Sequence, residues 1–94
     1  MKIGNRVGVV CSCKDGILEL FGYGVYEGDK IPETDDIKMM GVSLKEMKLS
    51  NPCIKLDSGK YIWGCESWWG SEEAVKKYEL QATEVKIVPI NRKK

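Results

Sequence analysis

Two turn signals, each lying between apolar segments, limit this chain to a fold built on β-hairpins. Asp15-Gly16 follows the apolar segment 6–13 and precedes another, and Asp-Gly is a favoured two-residue hairpin loop. Ser58-Gly59 stands between two apolar segments in the same way. The predicted strands cover residues 6–13, 17–21, 53–57 and 60–65.

Counting outward from the first loop gives the pairing of the first hairpin. Cys13 is expected opposite Leu18, and Cys11 opposite Leu20. Together with Val9, these residues would share one apolar face. Because free cysteine is commonly buried, both thiols are interpreted as packing residues.

The second hairpin predicts a structural role for one tryptophan. A two-residue loop places Leu56 opposite Tyr61 and Ile54 opposite Trp63. Cross-strand aromatic pairs stabilise such an apolar face. Trp63 is therefore expected in the core, while Ile62 points to the other face.

The C-terminal third predicts a helix and a last strand. Ser71 is a good helix N-cap, and the acidic residues after it suit the first turn, so a helix is expected from Glu72 to about Leu80. Residues 83–88 return to a strand. These elements predict an α+β, mostly β, single domain over residues 1–94. Its form would be a small antiparallel sheet or an SH3-like barrel with one C-terminal helix followed by a final strand.

Charge and hydropathy exclude two kinds of partner. Fifteen Lys and Arg against fourteen Asp and Glu give a net charge of +1, whereas binding nucleic acid needs a basic surface. The basic tip Arg92–Lys94 is interpreted as a solvated tail. No apolar run approaches the roughly 18 residues that span a bilayer, and the first residues do not resemble a signal peptide. The sequence predicts a cytoplasmic protein with no nucleic-acid or membrane partner.

The chain contains no histidine, which removes the commonest general base and metal ligand. The four cysteines form one C-x-C and two single positions, which fit the paired C-x-x-C of zinc sites poorly. We expect reduced thiols, no catalytic residue, no metal and no cofactor. An enzyme with a carboxylate-bound metal is the alternative, its candidate ligands being Asp29, Glu33, Asp35 and Asp36.

Aromatic residues concentrate in two windows. Seven of the eight lie there: Phe21, Tyr23, Tyr26, Tyr61, Trp63, Trp68 and Trp69. Neighbouring residues of a strand point to opposite faces, so Trp68 and Trp69 are not both expected to face one core. An accessible ring could stack on a base or on a partner protein.

The candidate binding set combines these rings with charged side chains. A glycine-hinged turn at residues 22–28 would present Tyr23 and Tyr26. Glu66 could accept hydrogen bonds from a ribose hydroxyl or an amine, and Arg6 and Lys60 could bind phosphate. The full set is Arg6, Tyr23, Tyr26, Lys60, Glu66, Trp68 and Trp69.

Three blocks of sequence carry a resemblance to a known family. They are G-x-G-x-Y-x-G-D-x-x-P from Gly22 to Pro32, N-P-x-I-x-L-D-x-G from Asn51 to Gly59, and W-G-C-E-x-W-W-G from Trp63 to Gly70. Together they resemble a family of small proteins of phages and bacterial prophages. Phage proteins of this size are often counter-defence factors, and some, such as those called Sequestin and Lockin, sequester nucleotide immune signals. The resemblance implies a sponge of that kind.

Two functional hypotheses follow. The first is a non-catalytic protein that sequesters a small nucleotide signal, such as a cyclic ADP-ribose isomer, by stacking and polar contacts. The alternative is a protein-binding module that inhibits a host protein through an exposed Trp pair. A chain this short buries only about two-thirds of its unfolded surface, so we expect a homo-oligomer with the pocket at a subunit interface.

Overall fold

The computed structural model describes residues 2–90, so the predicted basic tail Arg92–Lys94 lies outside the described residues. The strands are β1 (Arg6–Lys14), β2 (Ile17–Lys30), β3 (Lys38–Met39), β4 (Val42–Ser43), β5 (Asn51–Leu56), β6 (Tyr61–Trp63), β7 (Trp68–Ser71) and β8 (Glu84–Ile87). A 3₁₀ turn (Gly64–Glu66) joins β6 to β7, and one helix, α1 (Glu72–Gln81), precedes β8.

The main sheet has the order β6-β5-β2-β1-β7, with all neighbours antiparallel. β8 runs parallel to the first residues of β2, and β3 with β4 forms a separate short hairpin. The predicted fold class is confirmed: the chain is mostly β, with one C-terminal helix followed by a final strand.

The helix begins where the sequence predicts. The Ser71 hydroxyl accepts a hydrogen bond from the Ala74 backbone N–H at 3.2 Å, and Glu72 and Glu73 occupy the first turn. Val75 is fully buried and lies against β1 at Gly8, where an added Cβ would come within 2.7 Å of the Val75 Cβ. The absent side chain at residue 8 thus lets the helix approach the sheet closely.

The glycine-rich segment is part of a strand, and the expected glycine-hinged turn is wrong. β2 continues through residues 22–28, with β1 on one side and β5 on the other. Gly24 pairs with Leu56 so closely that a Cβ at residue 24 would lie 2.2 Å from the Lys55 carbonyl oxygen. Glycine here permits strand contact and does not form a turn.

The first hairpin has the predicted loop but a different register beyond it. Cys13 pairs with Leu18 as expected, whereas Leu20 pairs with Val10 and not with Cys11. Cys11 is the extra residue of a β-bulge, which shifts the alternation of β1 by one position. Cys11 and Cys13 are both exposed, so their interpretation as packing residues is wrong.

The second hairpin has a three-residue loop in place of the predicted two. The Leu56 N–H donates to the Lys60 carbonyl oxygen at 2.8 Å, and Gly59 has a φ of 94°, a left-handed conformation that favours glycine. Ile54 therefore pairs with Ile62, and Trp63 pairs with Cys53. A shift of one residue moves each side chain of β6 to the opposite face.

Two apolar clusters form the core. The first consists of Val7, Val9, Ile54, Leu56 and Ile62, and the second of Val10, Leu18, Leu20 and Val75. Trp63 belongs to neither cluster and is half-buried on the opposite face of β6 from Ile62. The expected core position of Trp63 is therefore wrong, because it rested on the two-residue loop.

One ion-pair cluster ties three elements together. The Arg6 guanidinium donates to both carboxylate oxygens of Asp57 at 2.7 Å and lies 3.0 Å from a carboxylate oxygen of Glu72. These hydrogen bonds hold the pKa of Asp57 below its usual range. The cluster joins β1, the loop after β5 and the first turn of α1.

Acid is expected to remove the contribution of Asp57 to stability. Since the pKa of Asp57 is lower in the folded than in the unfolded state, its contribution is complete above about pH 4 and is lost as the pH falls further. Thermal unfolding of the parent and of Asp57→Asn between pH 2 and pH 7 should show a difference in Tm at neutral pH that vanishes in acid. A difference that stays constant across this range would contradict the prediction.

Candidate functional site

The seven predicted binding residues do not form one site. The Arg6 guanidinium is engaged by Asp57 and Glu72, as described above. Glu66 lies in the 3₁₀ turn, where its carboxylate accepts a hydrogen bond from the Trp63 backbone N–H at 2.9 Å. Both charged side chains therefore already have hydrogen-bond partners within the protein.

Tyr26 and Trp69 stabilise each other. Their rings stack with centroids 5.6 Å apart and planes 18° apart, and both pack against the first core cluster. The Tyr26 hydroxyl donates to Asp29 at 2.7 Å. Because the two rings stack on each other, a ligand cannot insert between them.

Tyr23 and Trp68 lie near α1. Tyr23 packs against the second core cluster, and burial, with a smaller contribution from the carboxylate of Glu79, raises the pKa of its hydroxyl. Trp68 is 51% exposed and meets Tyr78 edge-on with ring centroids 5.5 Å apart. The expectation that one ring of the Trp pair stays accessible therefore holds for Trp68.

Among the seven predicted binding residues, Lys60 lines a cleft of two adjoining cavities, which we call the Trp63 cleft. Two adjoining cavities of about 410 and 380 Å³ share Thr34, Tyr61 and Trp63 as lining residues. The first is completed by Asp36, Ile37, Lys60 and Ile90, and the second by Lys30, Ile31, Pro32, Glu33 and Cys53. Volumes of this size fall within the range of small-molecule sites.

The strand register creates the aromatic wall of this cleft. Tyr61 and Trp63 are two residues apart on β6 and so face the same side, while Ile62 between them is fully buried in the core. The Lys55 ammonium lies 6.0 Å from the centre of the Tyr61 ring, at the limit for a cation–π contact. Sequence reasoning missed the wall because the predicted register turned these rings inward.

Polar groups of both signs border the aromatic wall. Lys60 and Asp36 line one cavity, and Lys30 and Glu33 line the other, where the Lys30 ammonium lies 3.4 Å from a carboxylate oxygen of Glu27. Cys53 closes one cavity, and burial raises the pKa of its thiol, which keeps the thiol protonated at neutral pH. The arrangement offers stacking surfaces and charged hydrogen-bonding groups without an activated nucleophile at Cys53.

Three of the four carboxylates proposed as metal ligands accept hydrogen bonds from neighbouring side chains. Asp29 accepts from the Tyr26 hydroxyl, Asp35 from the Ser43 hydroxyl at 2.9 Å, and Asp36 from the Thr34 hydroxyl. Within residues 2–90, no cluster of three or more Cys, Asp or Glu side chains could hold a metal ion.

Comparison with known proteins adds no family to this picture. Neither the family models, nor the curated proteins, nor the solved structures with which the chain was compared show a match. The resemblance to a phage and prophage family stays a prediction. In the part of the chain that the structure describes, no helix combines the length and apolar character needed to cross a membrane.

Proposed function

We propose that the protein is a non-catalytic binding protein that sequesters a small nucleotide in the Trp63 cleft. The proposal rests on one observation: Tyr61 and Trp63 stand side by side on β6 and line both adjoining cavities. Aromatic side chains stack on bases of any sequence. The lower volume limit for ligand sites is about 300 Å³, which each cavity exceeds.

The charged groups of the cleft suit the rest of a nucleotide. Lys60 supplies an ammonium group for phosphate at one cavity, and Lys30, which would exchange its ion pair with Glu27 for phosphate, supplies one at the other. The carboxylate of Asp36, which accepts a hydrogen bond from the Thr34 hydroxyl, is the kind of acceptor that suits a ribose hydroxyl. A cyclic ADP-ribose isomer, with one purine, two riboses and a pyrophosphate, offers matching groups for both cavities.

Binding without conversion is supported by the side chains at hand. The sequence has no histidine to move protons near neutral pH. The Cys53 thiol at the cleft is a poor nucleophile because burial raises its pKa. We therefore propose sequestration in the cytoplasm, where such signals would be met.

The alternative function, inhibition of a host protein through an exposed Trp pair, is weakened because only one of the two rings is exposed. Trp68 is exposed, but Trp69 lies on the other face of β7 and stacks on Tyr26. A partner surface could engage one of these rings without meeting the other. The nucleotide hypothesis needs no such pair.

The experiment is thermal unfolding combined with calorimetric titration against AMP, ADP-ribose, a cyclic ADP-ribose isomer and adenosine. A ligand present at 100 times its Kd should stabilise the protein by about 2.7 kcal/mol. Trp63→Ala should abolish this stabilisation, and Lys60→Gln should weaken binding of the phosphorylated ligands but not of adenosine. The ligand should be recovered unchanged.

Trp68→Ala is the matched control, because it removes a tryptophan outside the cleft. It should bind nucleotide as the parent does. The proposal is wrong if no nucleotide stabilises the protein, or if Trp68→Ala loses binding while Trp63→Ala retains it.

Self-association is a further prediction, supported by apolar side chains on the segment from β3 onward. Met40 is 96% exposed at the tip of the β3–β4 hairpin, and its neighbours on the segment are also exposed. They are Met39, Val42, Met47 and Leu49. Light scattering at micromolar protein should give at least a dimer, and Met40→Glu should weaken it. A monomer at that concentration would contradict this prediction.

A further inference from the structure

A second, smaller groove lies on the helix side of the sheet, away from the Trp63 cleft. We call it the thiol groove. It has a volume of about 330 Å³ and is lined by Val10, Cys11, Ser12, Cys13, Leu18, Trp68 and Tyr78. Both cysteines are exposed, so the groove offers two thiols to a ligand from solvent.

The β-bulge of β1 explains why both thiols line this groove. Directly paired residues of neighbouring strands share a face, so Val10 lies on the face of Leu20 and Cys13 on the face of Leu18. Cys11 is the extra residue between them, and Ser12 turns to the opposite face, where its hydroxyl donates to Glu19 at 2.7 Å. The hydrogen bond of Ser12 fixes the residue between the two cysteines.

The spacing of the two cysteines would allow both sulfurs to bind the same metal ion. Residues i and i+2 of a strand are about 6.6 Å apart along the chain, and side chains on one face can rotate towards each other. Two sulfurs bonded to one metal at about 2.3 Å each are at most about 4.6 Å apart. One residue between the cysteines is therefore compatible with chelation.

The chemistry of the pair selects the ion. Thiolates are soft ligands and favour soft cations, of which Cu(I) is the biological example that is stable with two sulfur ligands. Zinc in structural sites takes four ligands. Leu18, Val10 and the ring of Trp68 flank the thiols with apolar surface, and an aromatic face also attracts a cation.

We propose that Cys11 and Cys13 together bind one Cu(I) ion in the thiol groove. Both thiols release a proton to the solvent, two sulfur–copper bonds form, and copper keeps its oxidation state. The expectation of metal-free thiols rested on the cytoplasmic setting and on a cysteine spacing that fits a zinc site poorly, and neither argument addresses an ion that takes two sulfur ligands. The proposal is independent of nucleotide binding, since the two clefts share no residue.

The test is an anaerobic titration with Cu(I), kept reduced by ascorbate, against the chromophoric competitor bicinchoninate. The parent should bind one Cu(I) per chain. Cys11→Ser and Cys13→Ser should each weaken binding by at least about 100-fold, because a chelate loses one of two linked ligands. Cys65→Ser, which alters a half-buried thiol elsewhere, should bind as the parent does.

A second measurement covers the case in which a variant folds poorly. In the parent, bound Cu(I) should protect Cys11 and Cys13, but not Cys65, from alkylation by iodoacetamide, as read by peptide mass spectrometry. The proposal is overturned if either serine variant binds as tightly as the parent, or if Cys65→Ser is the variant that loses binding. One Cu(I) per two chains with a doubled mass in light scattering would also overturn it, since copper would then bridge two molecules.

Discussion

Gly24→Ala is expected to destabilise the fold by about 3 kcal/mol or more, the upper range for overpacking a tight interior. The new Cβ would lie 2.2 Å from the Lys55 carbonyl oxygen and 2.7 Å from the Leu56 Cα. Both are backbone atoms of β5, so they cannot turn aside as a side chain does. Relief requires β2 and β5 to separate where they pair in the centre of the sheet.

Gly70→Ala provides the matched control in another strand of the same sheet. A Cβ at Gly70 would meet the Trp68 ring at 3.5 Å, an ordinary van der Waals contact. Alanine there should change stability by no more than about 1 kcal/mol in either direction. Urea unfolding of both variants measures the difference, and equal small effects would contradict the close approach of β2 to β5.

Local signals were sufficient for the first loop and the start of the helix. Asp15-Gly16 forms the predicted loop, with Lys14 paired to Ile17 and Cys13 to Leu18. Ser71 caps α1 as expected. In each case the deciding interaction lies within a few residues along the chain, and the residue types themselves select the conformation.

The registers beyond the turns could not be derived in the same way. Ser58-Gly59 suits a two-residue loop, but glycine at the left-handed position of a three-residue loop is equally favourable. The three residues of β6 are all largely apolar, so the sequence pattern does not show whether Ile62 or Trp63 faces the core. In β1, the bulge at Cys11 has no local sequence signal, because it depends on the partner strand.

The candidate site was harder to predict than the fold, because the partners of charged residues are distant in sequence. Arg6 is 51 residues from Asp57 and 66 from Glu72, and no local pattern joins them. Glu66 is an exception with a nearby partner: it is predicted to bind a ligand, whereas its carboxylate accepts a hydrogen bond from the Trp63 backbone N–H three residues earlier. Lys60 lies at the Trp63 cleft. The aromatic wall beside it depends on the β5–β6 register, which the sequence alone leaves ambiguous.

Tyr61→Ala and Ile62→Ala, at neighbouring positions of β6, are expected to affect different properties: nucleotide binding in the first and stability in the second. Ile62 is fully buried, so its truncation should cost about 2–5 kcal/mol of stability. Tyr61 is 43% exposed at the cleft, so its truncation should cost less stability but about 1–3 kcal/mol of nucleotide binding if the ring stacks on the base. Urea unfolding and calorimetry on the same samples give both quantities.

Ile62→Val keeps the fold intact enough for a binding measurement, since removing one buried methylene costs only about 0.5–1.5 kcal/mol. It should bind nucleotide as the parent does, which separates a loss of stability from a loss of binding. The two-residue loop makes the reverse prediction, with Tyr61 in the core and Ile62 outside it. A large stability loss in Tyr61→Ala together with a small one in Ile62→Ala would therefore establish that loop, and the aromatic wall of the Trp63 cleft would not exist.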